Sequence, residues 1–273
     1  MFSFGITQKC EKCGNDVPLS QYTLKTRLCN NCIGKIKNEK KKFQKILSLD
    51  NLVIEIIPIY DGHSTSSIEN GIRTIEYNYN HPKYELIHEL GHFLLSEKVQ
   101  YMNFVSQPPS NSNEEIFYYS NSIIDGFVDF NCLKIDYNHS YYIRYIKALL
   151  PGMINIPKQA TLSDIIQGFL KFFISINYLI KIDEKKKLQE ELINALENLK
   201  RFSINQSIIM YSNKKRLNQK NFRHIEAELS NFENVKETLD YQTVIKFIYD
   251  VLRLIPFISE NLLGNQISLI YPL

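Results

Sequence analysis

Two histidines and a glutamate, His88, Glu89 and His92, form an H-E-x-x-H pattern. Residues four apart lie one turn above each other on the same face of an α-helix, so both imidazoles can reach one metal ion. Zinc lowers the pKa of a bound water to about 7, and a carboxylate beside that water can take its proton. The pattern therefore predicts two zinc ligands, His88 and His92, and a general base, Glu89.

The flanking sequence predicts the elements that position this pattern. Alternating apolar and polar residues over Ile72–Tyr79 are typical of a half-buried strand, and Pro82 suits the start of the helix that follows. That helix is predicted over Lys83–Glu97, and it carries a set of large apolar residues: Ile87, Leu90, Phe93, Leu94 and Leu95. The alternative is an exposed helix with two incidental histidines. It is disfavoured because these apolar residues make the helix a buried one, and burying histidines without partners is costly.

A strand followed by the residues H-E-L-G-H-F-L-L resembles the ImmA/IrrE-type metallopeptidases, which are small gluzincin-like zinc enzymes. The resemblance covers roughly residues 50 to 140 and is specific at the motif. A metzincin would instead need glycine at position 95 and histidine at position 98, where this chain has Leu95 and Lys98. The resemblance implies a minimal zincin-like domain that cleaves peptide bonds, with a transcriptional regulator as its expected substrate.

In such enzymes the third zinc ligand comes from a later helix, and here a helix is predicted to end near Ile135. The resemblance implies that Asp125 is this ligand, and that Asp129, one turn further, holds a ligand histidine by its free N–H group. The family usually has glutamate at the ligand position, whereas this chain has the shorter aspartate. Three alternative ligands remain: Glu114, Glu115 and His139.

Four cysteines predict a second metal site, of structural type. Cys10-x-x-Cys13 and Cys29-x-x-Cys32 are separated by 15 residues, which is within the spacing of a four-cysteine zinc ribbon. Two disulfides or a redox pair are the alternatives, and an intracellular location disfavours them. The fifth cysteine, Cys132, is expected to be a buried thiol. The cofactor prediction is therefore two zinc ions per chain, one catalytic and one structural.

Length and composition predict a globular, cytoplasmic protein. The chain has 273 residues, 44% of them hydrophobic. It shows no N-terminal apolar leader, and the segment closest to a continuous apolar run, Ile165–Ile182, is broken by polar residues that include Gln167, Lys171, Asn177 and Lys181. No membrane partner is expected.

The N-terminal segment is strongly basic. Residues 1–47 contain ten lysine or arginine residues against three acidic ones. Such a segment could contact nucleic-acid phosphates, but no recognition motif supports this, and lysine-rich helices between domains are often solvated or contact protein. Nucleic-acid contact is therefore the secondary expectation.

The predicted fold class is α+β, in three parts. Residues 1–46 form the zinc ribbon and a basic linker. Residues 47–145 form the metallopeptidase domain, with a few-stranded sheet, the HExxH helix and the third-ligand helix. Residues 146–273 form a helical domain, with breaks expected at Pro151 and from Ser203. A strand over Leu52–Tyr60, a polar loop over Ser64–Gly71 and the Ile72–Tyr79 strand are expected to precede the motif, with the last as the edge strand that accepts substrate.

Two functions follow from these observations. The first is a zinc-dependent peptidase. The second is a regulatory or nucleic-acid- or protein-binding protein that uses its ribbon and helical region, with an inactive or gated metallopeptidase-like domain. Metal content and the effect of replacing Glu89 distinguish them.

Overall fold

The computed structural model describes residues 6–99, 108–135, 140–182, 186–232 and 240–271. Within these ranges the chain is α+β, as predicted: three small sheets lie in the N-terminal third, and helices make up the rest. None of the described helices combines the length and the apolar character needed to cross a membrane.

The N-terminal segment is built from two short hairpins and a helix. β1 (Thr7–Lys9) pairs with β2 (Asp16–Pro18), and β3 (Tyr22–Thr23) pairs with β4 (Leu28–Cys29). Helix α1 (Asn30–Ile46) begins directly after β4. This arrangement brings the two Cys-x-x-Cys segments together.

The two hairpins and α1 lie against the following sheet rather than apart from it. The Lys12 ammonium donates to the carbonyl of Tyr79 at 3.1 Å, and the Tyr79 hydroxyl donates to the carbonyl of Thr26 at 3.1 Å. On α1, the Lys40 ammonium donates to the carbonyl of Ile54 at 2.7 Å. The remaining lysines of α1 are exposed: Lys35, Lys37, Lys41, Lys42 and Lys45. Nucleic-acid contact through this basic face stays a prediction.

A three-stranded sheet precedes the HExxH helix. It contains β5 (Ile54–Ile59), β6 (Thr65–Glu69) and β7 (Ile72–Asn78), in the order β5-β7-β6. β7 runs parallel to β5 and antiparallel to β6. The prediction of an edge strand at Ile72–Tyr79 is therefore wrong, because β7 lies in the centre.

β6 is an edge strand of this sheet and lies on the side of β7 opposite β5. It falls in the segment Ser64–Gly71, which the sequence predicted to be a loop. Asn70 and Gly71 both have positive φ, at 50° and 79°, as a tight type I′ hairpin turn requires. This turn folds β6 back onto β7. Polar Thr and Ser residues concealed the strand from a periodicity argument, while the Asn-Gly pair was the available signal.

The two helices expected to carry the metal ligands are confirmed as secondary structure. α2 spans Lys83–Lys98 and α3 spans Glu114–Ile135. The apolar residues of α2 are buried, including Leu90 at 0% exposure. Both helices pack against each other in the core.

Six further helices follow among the described residues: α4 (Ser140–Ile154), α5 (Leu162–Ile182), α6 (Lys186–Met210), α7 (Gln219–Ser230), α8 (Tyr241–Leu252) and α9 (Glu260–Ile270). Of these, α5 packs most extensively on α3. The breaks expected at Pro151 and Ser203 are wrong, because α4 and α6 continue through them. In α6 the Ser203 hydroxyl donates to the carbonyl of Leu199, so this serine is satisfied inside the helix.

Candidate metal centres

Two groups of side chains in the described part of the chain have the composition and closeness of a metal site. One is Cys10, Cys13, Cys29 and Cys32. The other is His88, His92 and Asp125, and within each group the possible ligand atoms lie within 4.8 Å of one another. Both groups were predicted from the sequence.

The second group joins α2 and α3. Nε2 of His88 lies 3.3 Å from Nε2 of His92, and Oδ1 of Asp125 lies 3.6 Å and 3.5 Å from these two nitrogens. Atoms that bind a tetrahedral zinc at about 2.0–2.1 Å stand roughly 3.3 Å from one another. The three side chains therefore fit one zinc ion with a fourth position left over.

Asp129 fixes the orientation of His88. Its Oδ1 lies 2.7 Å from Nδ1 of His88 and also accepts a 2.7 Å hydrogen bond from the Tyr84 hydroxyl. Asp129 is fully buried. With Nδ1 held in this way, Nε2 faces His92 and Asp125, which is the arrangement expected for a metal-binding histidine.

The two histidines have opposite pKa shifts. Burial favours neutral His88, but the negative charge of Asp129 outweighs it and raises the pKa of His88 to about 10. Burial and the neighbouring charge of His88 lower the pKa of His92 to about 3. His92 therefore has a neutral imidazole, whereas metal binding at His88 must displace a proton.

A lysine that the sequence argument did not assign to the site contacts Asp125. The ammonium of Lys171, on α5, lies 3.0 Å from Oδ2 of Asp125. Burial alone would raise the pKa of Asp125, but Lys171, followed by His88, holds it below its usual range. Asp125 in turn raises the pKa of Lys171 against the effect of burial. Both groups are charged at neutral pH.

Glu89 lines the same cavity as His88, His92, Asp125 and Lys171. The cavity has a volume of about 390 Å³. Glu89 is 7% exposed, and burial raises its pKa against the opposing charge of His88. A carboxylate with a raised pKa is suited to take a proton and release it again.

The loop and strand on the other side of the cavity are tied to α2 and β7. The Ser64 hydroxyl donates to Glu85 Oε2 at 2.8 Å and accepts a hydrogen bond from the backbone N–H of Asn78 at 3.1 Å. Nδ1 of His81 lies 2.8 Å from the same Glu85 oxygen. These contacts place the beginning of β6 beside the ligand-bearing helix.

Two of the three alternative third ligands, Glu114 and Glu115, do not join this group. Glu114 and Glu115 are exposed in the first turn of α3. Glu115 precedes Asp125 by ten residues, which is about 15 Å along a helix. His139 lies outside the described residues.

Gly91 allows α2 and α3 to approach closely at the site. A Cβ atom at this position would lie 2.5 Å from Sγ of Cys132 and 2.7 Å from Cγ1 of Val128, both on α3. Cys132 is a buried thiol, as predicted. A side chain at position 91 would therefore separate the helices that carry the ligands.

We expect Gly91→Ala to destabilise the fold by about 1–3 kcal/mol, the usual cost of overpacking. Thermal unfolding measures this. Gly168→Ala on α5 is the matched control, because a Cβ there meets nothing within 4 Å. That control should be neutral or stabilised by up to about 1 kcal/mol through helix propensity. Equal stability of the two variants would contradict the close approach.

The four cysteines also have the geometry of a zinc site. Sγ of Cys13 and Sγ of Cys29 are 3.9 Å apart, close to the roughly 3.8 Å expected for thiolates at 2.3 Å from a tetrahedral zinc. Cys10 accepts a hydrogen bond from the backbone N–H of Cys29 at 3.3 Å. Burial opposes ionisation of Cys10, but the N–H groups of Cys29, Cys13 and Lys12 outweigh it and lower its pKa to about 6. No disulfide joins these residues.

Replacing Cys10 and Cys13 together by serine should unfold the two hairpins and release one zinc per chain. The second zinc should stay bound, because its expected ligands lie on α2 and α3 and the sites share none. Elemental analysis of the purified variant measures this. Loss of both metals would mean that the contacts of Lys12 and Thr26 with Tyr79 are required to form the second site.

Comparison of this chain with protein-family models, with curated proteins and with solved structures finds no match.

Proposed function

We propose that this protein is a zinc-dependent metallopeptidase. The observation that carries the proposal is the convergence of His88, His92 and Asp125 at tetrahedral spacing, with Glu89 lining the same cavity. These are the four residues that the gluzincin-like arrangement predicted from the sequence requires: three metal ligands and a general base. The four-cysteine cluster would hold a second, structural zinc.

His88, His92 and Asp125 would hold a zinc ion, which would supply Lewis-acid chemistry by acidifying a bound water molecule and polarising the scissile carbonyl. Glu89 then accepts a proton from the attacking water and transfers it to the leaving amine. Asp129 keeps Nδ1 of His88 engaged, so that this imidazole presents Nε2 to the site. Burial of Glu89 strengthens these electrostatic effects by excluding bulk water.

The substrate would bind as an extended strand along β6. This strand pairs with β7 on one side and has no partner strand on the other among the described residues. Thr65 and Ser66 also line the cavity. Backbone hydrogen bonding to an exposed sheet edge provides affinity for an extended peptide, while side-chain pockets provide selectivity.

The proposed substrate is a specific regulatory protein rather than proteins in general. The resemblance to ImmA/IrrE-type enzymes motivates this, and a transcriptional regulator is the expected class. Incubating the zinc-loaded protein with a lysate of the cells that produce it, followed by labelling of new N-termini and mass spectrometry, tests the proposal.

New termini that require wild-type protein and disappear with a zinc chelator would support the peptidase. Reaction with Glu89→Gln protein is the parallel control. If the zinc-loaded protein creates no new termini, the alternative is favoured: a regulatory protein that binds nucleic acid or protein through the ribbon and the exposed lysines of α1, with a gated or inactive centre.

A further inference from the structure

Lys171 reaches the cavity from a helix outside the segment predicted to form the metallopeptidase domain. It is the one lysine or arginine among the described residues that line the cavity. Its side chain is 23% exposed. A cation at this position needs an explanation, because a cavity built to bind Zn²⁺ gains nothing from a positive charge that merely repels the metal.

The packing of α5 on α3 holds Lys171 next to Asp125. Gly126 follows Asp125 directly, and a Cβ at Gly126 would lie 3.0 Å from the carbonyl oxygen of Lys171 and 3.5 Å from that of Leu170. The two backbones therefore approach closely beside the candidate ligand. The ion pair is a fixed feature of this helix crossing rather than a contact between two mobile surface side chains.

The two oxygens of Asp125 have separate partners. Oδ1 faces Nε2 of His88 and Nε2 of His92, at 3.6 Å and 3.5 Å. Oδ2 accepts the hydrogen bond from Lys171 at 3.0 Å. A carboxylate with both oxygens available can bind a metal through one or both of them, and the hydrogen bond from Lys171 to Oδ2 favours binding through Oδ1 alone.

We propose that Lys171 is a positioning residue for the metal site, which rests on the function proposed above. By holding Oδ2 of Asp125, it restricts this aspartate to binding the metal through Oδ1. The fourth coordination position then stays available for water and substrate. The helical C-terminal region thereby completes the metal site through α5.

The test uses full-length protein with zinc in the four-cysteine site and either Zn²⁺ or Co²⁺ at the second site. Lys171→Met should weaken zinc binding by about 10–100-fold, the usual effect of removing a residue that orients a ligand. Competition with a chromophoric chelator measures this. The visible absorption of the Co²⁺ form should also weaken, because four-coordinate Co²⁺ absorbs more strongly than Co²⁺ with an additional carboxylate oxygen.

Two variants accompany Lys171→Met. Lys171→Arg keeps a charged N–H donor and should retain most of the zinc affinity and the Co²⁺ spectrum. Gln167→Met changes another polar residue of α5 that lines the cavity, and it should leave both properties unchanged because the Gln167 amide donates to the Ser163 hydroxyl at 3.2 Å and not to Asp125.

A double-variant comparison covers the case in which Lys171→Met alone folds poorly. In an Asp125→Asn background, the further change Lys171→Met should cause no additional loss of zinc affinity, because Lys171 acts through the carboxylate. An additional loss there would overturn the proposal.

Two other results would also overturn it. Zinc binding by Lys171→Met that equals or exceeds that of the wild type would mean that charge repulsion is the main effect of Lys171. Weaker binding with an unchanged Co²⁺ spectrum would mean a general structural role. A wild-type protein that binds only the ribbon zinc would instead refute the proposed function, and this outcome is distinguished by metal content alone.

Discussion

Glu89→Gln is expected to abolish most hydrolysis while leaving the metal and the fold in place. Glutamine is nearly isosteric with glutamate but cannot accept the proton of the attacking water. General acid–base catalysis contributes about 10²–10⁴-fold to a rate, so we expect the cleavage rate to fall by at least about 10²-fold. The measurement is the rate of appearance of new N-termini in a substrate cleaved by the wild-type protein.

Metal content and thermal stability are the controls for this variant. Glu89 is buried, and burial raises its pKa because it disfavours the charged carboxylate. Replacement by a neutral amide removes that charge, so it should not unfold the protein. Two zinc ions per chain should remain, because Glu89 is outside both groups of candidate ligands. Cleavage at the wild-type rate by Glu89→Gln would show that the proposed mechanism is wrong.

The part of the site that the sequence predicts best depends on short-range geometry. His88, Glu89 and His92 lie within two turns of one helix, so their relative positions follow from helix geometry alone. The four cysteines are similar, since each Cys-x-x-Cys segment is a local turn. Asp125 and Asp129 required one long-range assumption, namely that α3 packs on α2, and Gly91 is the residue that permits this packing.

Lys171 and β6 show where the sequence argument reaches its limit. Lys171 is separated from Asp125 by 46 residues, and their contact depends on the close approach of α3 and α5 at Gly126. In the sequence, Lys171 was only one of several polar interruptions of an apolar run. β6 has no strong apolar alternation, because its Thr65, Ser66 and Ser67 are polar, and the Asn70-Gly71 turn was the one local signal for it. Tertiary packing decided the position of Lys171, and local pattern did not encode it.

Asp125→Ala is expected to lose the metal bound by His88 and His92. Removing a residue that merely orients a ligand costs about 10–100-fold in metal affinity, so removing the ligand itself should cost more than about 100-fold. Asp129→Asn tests the lesser effect, because it disturbs the hydrogen bond to Nδ1 of His88 without removing a ligand. Zinc content after dialysis against a weak chelator should therefore fall in the order wild type, Asp129→Asn, Asp125→Ala.

Asp125→Ala also leaves Lys171, whose side chain is 23% exposed, without its carboxylate partner, so a drop in stability is expected in addition to the loss of metal. Breaking a fully buried pair by removing one member costs about 3–5 kcal/mol, and the partial exposure of both side chains makes the cost smaller here. Asp125→Asn separates the two effects, since its amide oxygen can still accept a hydrogen bond from Lys171 but is a poor zinc ligand. Loss of zinc from Asp125→Asn at near-wild-type stability would identify Asp125 as a ligand and not only as a structural group.

Glu115→Ala is the matched control on the same helix. Glu115 is exposed and lies ten residues before Asp125, about two to three helical turns away. Its replacement by alanine should therefore leave metal content and stability unchanged. Retention of the second zinc by both Asp125 variants, together with its loss from Glu115→Ala, would reverse the assignment. It would also require α3 to bind the metal through its exposed first turn rather than through Asp125, which lies beside His88 and His92.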